Sequence, residues 1–138
     1  MTRRFAEDTS VPVSRSQEEV KQRLRAQGAD SIAVYESSER SAVAFTAEGR
    51  MYRITVPIVA GVKDARQEER RAWRLLLLLL KAKLEAVCEG ATTIEREFLA
   101  DMLLPDGSTV HERAREELAI AYRGGSMPDR LLIQGPST

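Results

Sequence analysis

Between Ser31 and Val56 apolar residues alternate with polar ones, and on either side of that stretch they recur every three or four positions. Val43 and Phe45 share one face of Ser41 to Thr46. Tyr52, Ile54 and Val56 share one face of Arg50 to Val56, against Met51, Arg53 and Thr55 on the other. Period two marks a half-buried strand. With Ser31 to Glu36 this predicts three strands. The links Ser37-Ser-Glu-Arg40 and Ala47-Glu-Gly-Arg50 are of hairpin length, and Gly49 suits a tight turn. Pro57 ends the meander.

The flanking segments carry helix signals. Ser16-Gln-Glu-Glu19 reads as a capping box and Gly28 as a stop, predicting a short helix over about 17–27 with Val20 and Leu24 inward. Asp64 and Gly90 bracket a long helix over about 65–88. Thr92-Thr-Ile-Glu95 predicts a helix to about 103, with Ile94, Phe98, Leu99 and Met102 inward. Thr109-Val-His-Glu112 predicts another to about Tyr122, with Val110, Ala114, Leu118 and Ala121 inward and Gly124-Gly125 as its stop. The class is α+β, in the order α-β-β-β-α-α-α. It has a short N-terminal helix, a three-stranded antiparallel meander, a long hydrophobic helix packed on the sheet and two further C-terminal helices. Residues 1–13 read as a loose arm, 14–133 as a single domain and 134–138 as a tail. Met127, Leu131, Leu132 and Ile133 suit a strap across the core.

Leu75 to Leu80 are six consecutive leucines. At about 100° per residue they run more than once around a helix, so one greasy face cannot hold them. In projection Trp73, Leu76, Leu80, Leu84 and Val87 share one sector. Leu75, Leu79, Ala82 and Ala86 share a second. Arg70, Arg74 and Lys81 align on a third, with Gln67, Arg71 and Glu85 beside them. Lys83 falls between the apolar sectors, where it would snorkel or meet a carboxylate. The sheet can cover the first sector. The two later helices, or a homodimer through the long helix, would cover the second.

Composition narrows the class. With 21 basic and 21 acidic residues, the chain carries no net charge, which argues against a non-specific nucleic-acid coat without excluding a local patch. Cys88 is the sole cysteine, so no intrachain disulfide forms. The N-terminus lacks a signal-peptide core, and the leucine run is far short of the ~20 residues a membrane span needs. A cytoplasmic protein is expected.

Catalytic sets are missing. His111 is the only histidine, so neither a Ser-His-Asp set built on another histidine nor a multi-histidine metal site is available. There is no P-loop or dinucleotide fingerprint. Glu95, Glu97 and Asp101 read as helix-surface charge rather than a cation site. A non-enzymatic protein with no cofactor and no metal is expected. The candidate binding residues are Arg70, Arg71, Arg74 and Lys81, a basic ridge that would track phosphates or, more blandly, keep a greasy helix solvated. Trp73 would stack a base or sit in the core, and Tyr35 and Tyr52 would form a stacking platform or pack.

Glu69-Arg-Arg-Ala-Trp-Arg74, Lys81-Ala-Lys-Leu-Glu-Ala-Val87, Glu95-Arg-Glu-Phe-Leu-Ala100 and Leu104-Pro-Asp-Gly107 followed by Thr109-Val110 resemble an uncharacterised family of small hypothetical proteins encoded by bacteriophages and prophages. The resemblance covers about residues 69–133; the unbroken leucine run departs from it. It implies a phage origin and the host cytoplasm, and no mechanism. The α-β-β-β-α order is also similar to double-stranded RNA-binding domains. Arg66, Arg70 and Arg71 stand where those domains carry lysines, but their glycine and paired-lysine motif is missing.

Two functions suit these features. One is a nucleic-acid-binding accessory protein, taking single-stranded or duplex DNA on the ridge Arg70, Arg71, Arg74 and Lys81. The alternative is a protein-binding inhibitor or modulator of a host defence complex or host enzyme, with no DNA affinity of its own.

Overall fold

The computed structural model describes residues 4–59 and 61–128. Three strands, β1 (Ser31–Glu36), β2 (Arg40–Ala47) and β3 (Arg50–Pro57), form an antiparallel sheet in the order β1-β2-β3. The register sets Val34, Val43 and Ile54 in one row and Ile32, Phe45 and Tyr52 in the next, so the expected apolar face forms. Helix α1 (Val13–Ala26) and helix α2 (Ala65–Cys88) pack side by side on that face.

Trp73, Leu76, Leu77, Leu80 and Leu84 of α2 are buried with Val20 and Leu24 of α1 and with Phe45, Tyr52, Ile54 and Val56 of the sheet. Phe45 stacks on Tyr52 at 5.2 Å, and Phe98 meets both edge-on. Trp73 is therefore core, with its indole N–H unpartnered among the described residues. Tyr52 also belongs to the core. Burial, the largest influence, pushes its phenol up.

α2 starts and stops as its signals predict: the Asp64 carboxylate accepts from the Gln67 N–H, and Gly90 takes φ +76° just beyond the end. The first helix does not. It begins at Val13, behind Pro12, and no side chain caps it. Ser16 lies inside it, fully buried. The inward stripe Val13, Ser16, Val20, Leu24 runs through Ser16, so burial overrides the cap. The segment preceding the helix is docked. Arg4 contacts Glu68, and the Gln67 amide donates to the carbonyls of Glu7 and Thr9.

The C-terminal third differs more. Helix α3 is only Ile94–Glu97, capped by Thr93 rather than Thr92, and a 3-10 turn follows at Leu99–Asp101. Met102 and Leu103 then extend along the edge of β3, Leu103 N–H donating to the Met51 carbonyl at 2.8 Å. Pairing with an open edge competes with continuing the helix, and leaves Leu99 exposed. Helix α4 (Val110–Gly124) is capped by Thr109 and closed by Gly125 at φ +69°. It packs against the 3-10 turn, and Ala114 is its only buried residue; Leu118 is exposed. The expectation that the later helices cover α2's second apolar sector is thus corrected: Leu79 of that sector stays 41% exposed and Ala82 is exposed, as is the neighbouring Leu78. The strap expected of Leu131, Leu132 and Ile133, and the tail 134–138, lie outside the described residues.

The Ser16 hydroxyl is buried with no hydrogen-bond partner among the described residues. Ser16→Ala should therefore raise stability by about 0.5–1 kcal/mol, since it removes an unpaired polar atom and improves helix propensity. The urea midpoint reads this, and a fall would show that the hydroxyl is satisfied.

Candidate functional site

The fold distributes the four predicted ridge residues unequally. Arg71 is 5% exposed and donates to Glu68 through Nε at 2.6 Å. Arg70 donates twice to the Gln67 amide oxygen, at 3.0 and 2.6 Å. Arg74 lies 3.9 Å from Glu19 of α1. Lys81 is half-buried. The continuous basic face drawn from the helix projection is therefore not what the folded chain presents. Gln67 and Glu68 of α2 itself and Glu19 of α1 supply the partners, and the N-terminal segment docks on Gln67 and Glu68. A projection of one helix contains Gln67 and Glu68, three residues before Arg70 and Arg71, but neither Glu19 nor the burial of Arg71.

Glu68 is the hub of this region. It accepts from Arg4, from Arg71 and from the Val59 N–H at 2.8 Å, tying the N-terminal segment, the β3–α2 connection and α2 together. Burial is the largest influence and would raise its pKa. The hydrogen bonds from Arg71, Val59 and Arg4 and the Arg71 charge together outweigh it and bring the carboxyl down to about 2. Lys83 meets a backbone carbonyl rather than a carboxylate: its Nζ donates to Glu97 O at 2.5 Å and stands 5.3 Å from the Phe98 ring. It pins α3 to α2.

The uncovered surface with the richest chemistry is the other face of the sheet. In register across it run Ala33-Ala44-Arg53 and Tyr35-Ala42-Thr55. Here three alanines make a floor and longer side chains make the walls, enclosing a groove of about 600 Å³. Tyr35 is half exposed, with the Arg40 guanidinium stacked 5.5 Å from its ring centroid. On the far wall Arg53 reaches Glu112 of α4 at 3.1 Å. Arg53, Thr55 and Glu112 also line a smaller hollow of about 200 Å³ with Asp101, Thr109 and His111. Burial, the main cause, pushes the Asp101 carboxyl up, and the charges of Lys83 and His111 pull it partly back.

Tyr35 and Tyr52 thus lie on opposite faces and form no joint platform. The groove was open to sequence reasoning through one signal: the alternate positions Ala33, Tyr35, Ala42, Ala44, Arg53 and Thr55 are too small or too polar for a second core. Among the described residues, no three His, Cys, Asp or Glu side chains stand together as a metal site would require, and no helix is long and apolar enough to cross a membrane. Comparison with known proteins finds no family model, curated protein or solved structure that matches the chain significantly.

The Glu68 carboxylate stabilises the fold because its folded pKa lies below its ordinary 4.5. That contribution is complete above about pH 4.5 and disappears as pH falls towards 2, a loss on the order of 3 kcal/mol. Urea denaturation across this window should show the loss in the native chain and a flatter profile in Glu68→Gln. At pH 7 Glu68→Gln should cost roughly 3 kcal/mol, because Arg71 is left buried without its counter-charge. Adding Arg71→Met should recover much of that cost. Parallel pH profiles in the two proteins would contradict this account.

Proposed function

We propose that the protein is a non-enzymatic binding module whose working surface is the open sheet face, and that its target is another protein. One observation carries the reading: an exposed Tyr35–Arg40 stack beside an alanine-floored groove. Tyrosine and arginine at a concave apolar patch are the side chains on which protein interfaces concentrate their energy. The alanine floor favours an apolar underside on the target, and Arg40 at one wall favours a carboxylate along its edge. The segment that fits is an acidic amphipathic one. The burial of Arg71 against Glu68 and the placing of Arg74 beside Glu19 leave less of the ridge free for a polyanion and support a protein target. The resemblance to small phage proteins supports a protein of the bacterial host.

Nucleic acid remains the second reading, favoured by the same Tyr35–Arg40 pair, which has the make-up of a base-stacking site.

The test uses the full chain and the variant Tyr35→Ala/Arg40→Glu, whose changes are both at exposed positions. The native chain should retain a defined host protein in stoichiometric amount. The purified pair should bind at least roughly 30-fold more tightly than the pair made with the variant. Fluorescence anisotropy with single-stranded and duplex DNA at low salt should show no binding. Salt-sensitive DNA binding lost in the same variant would replace the protein reading with the nucleic-acid one, and a host protein held equally by the variant would remove the sheet face from the mechanism.

A further inference from the structure

Among the described residues, α2 keeps one long flank bare. Leu75, Leu78, Leu79, Ala82 and Ala86 fall within roughly 100° of arc, on the side of the helix turned away from the sheet. Leu78, Leu79 and Ala82 are exposed, and Leu75 and Ala86 are half-buried. The stripe has a definite start. One turn earlier, on the same side, Glu68 and Arg71 are buried beneath the docked N-terminal segment.

The pattern along the stripe says what covers it. Leu75, Leu79, Ala82 and Ala86 are spaced four, three and four, the seam spacing of paired helices. The large residues occupy its first half and the small ones its second. An identical stripe running antiparallel, about a twofold axis between positions 80 and 81, sets Leu75 over Ala86 of the second copy and Leu79 over Ala82. Each large side chain then meets a small one. A parallel pair would oppose leucine to leucine and leave a gap between alanines. Charge agrees with shape only in part, because Lys81 of one copy stands beside Lys81 of the other, about 1.5 Å away along the axis, and these two side chains must splay into solvent. Arg74, Lys81 and Glu85 lie along one edge of the stripe, and in an antiparallel pair that edge faces its own copy. Glu85 of one chain then lies about 3 Å along the axis from level with Arg74 of the other, within reach of the long arginine side chain, twice over by symmetry. Arg74 is held only loosely at home, 3.9 Å from Glu19. A self-complementary patch of this kind is an isologous interface.

We propose that the protein is a homodimer joined through the Leu75–Ala86 flank of two antiparallel α2 helices. The proposal uses a different surface from the sheet groove and stands or falls independently of it.

Light scattering on the full chain should give twice the 15.4 kDa chain mass. Leu79→Glu and, separately, Ala82→Arg should each give a monomer with unchanged circular dichroism; both positions are exposed, so the fold does not depend on them. Direction is read by cross-linking in a Cys88→Ser background. In the antiparallel pair the two copies of position 82 lie about 5 Å apart along the helix axis and those of position 86 about 16 Å apart. A short bismaleimide should therefore join Ala82→Cys chains and leave Ala86→Cys chains unjoined. A monomeric native chain at high micromolar concentration overturns the proposal. So does a dimer that survives both Leu79→Glu and Ala82→Arg, and equal cross-linking at 82 and 86 overturns the antiparallel arrangement.

Discussion

A helix apolar around most of its circumference must be covered from more than one direction, and that constraint shapes the rest of the molecule. α2 meets it by lying on the sheet and against α1. Trp73, Leu76, Leu77, Leu80 and Leu84 are buried in that cleft. At about 2 kcal/mol for each large side chain, they contribute on the order of 10 kcal/mol, comparable to the whole net stability of a small domain. The sheet presents only one apolar face because its other face carries alanine, arginine and threonine. α1 packs along α2 on the same side of the sheet, and its Val20 and Leu24 join the leucines of α2 in one core.

The charged residues of α2 follow from the same geometry. Once α1 and the N-terminal segment lie beside the helix, its arginines cannot all reach water. They are satisfied by Gln67, Glu68 and Glu19 instead. Glu68 matters most, because one carboxylate serves three parts of the chain that are far apart in sequence. Burying a charge is costly unless it is paired and hydrogen-bonded, and here the pairing is what holds the N-terminal segment down.

The sequence made some of this plain and hid the rest for definable reasons. The strands were legible because the alternation Tyr52, Ile54, Val56 admits one period only, and the ends of α2 because Asp64 and Gly90 are unambiguous punctuation. Ser16 misled because a capping box is a local signal and burial is not: the residue stands on the inward stripe of a helix that had already begun. The third helix was overdrawn because Met102 and Leu103 are good helix formers that instead pair with the edge of β3, a partner about fifty residues upstream. The ridge Arg70, Arg71, Arg74 and Lys81 was located in sequence, but its exposure depends on α1, which no single-helix projection contains. The groove of the open sheet face was legible only as small residues in alternate strand positions, a negative signal beside the leucine run.

The sheet groove and the bare flank of α2 lie on opposite sides of the layered fold, the flank behind the helical layer. That placement bears on how they would work together. A dimer closed through α2 buries the flank and turns both sheet faces outward, so neither groove is obstructed by the second copy. Two identical grooves on one rigid body convert a second binding event into an intramolecular one wherever the target is itself oligomeric or repeats its binding segment. Weak contacts of the size that one Tyr35–Arg40 stack and an alanine floor can provide then become sufficient. On the two proposals together, binding strength would come from valency rather than from the depth of a single site.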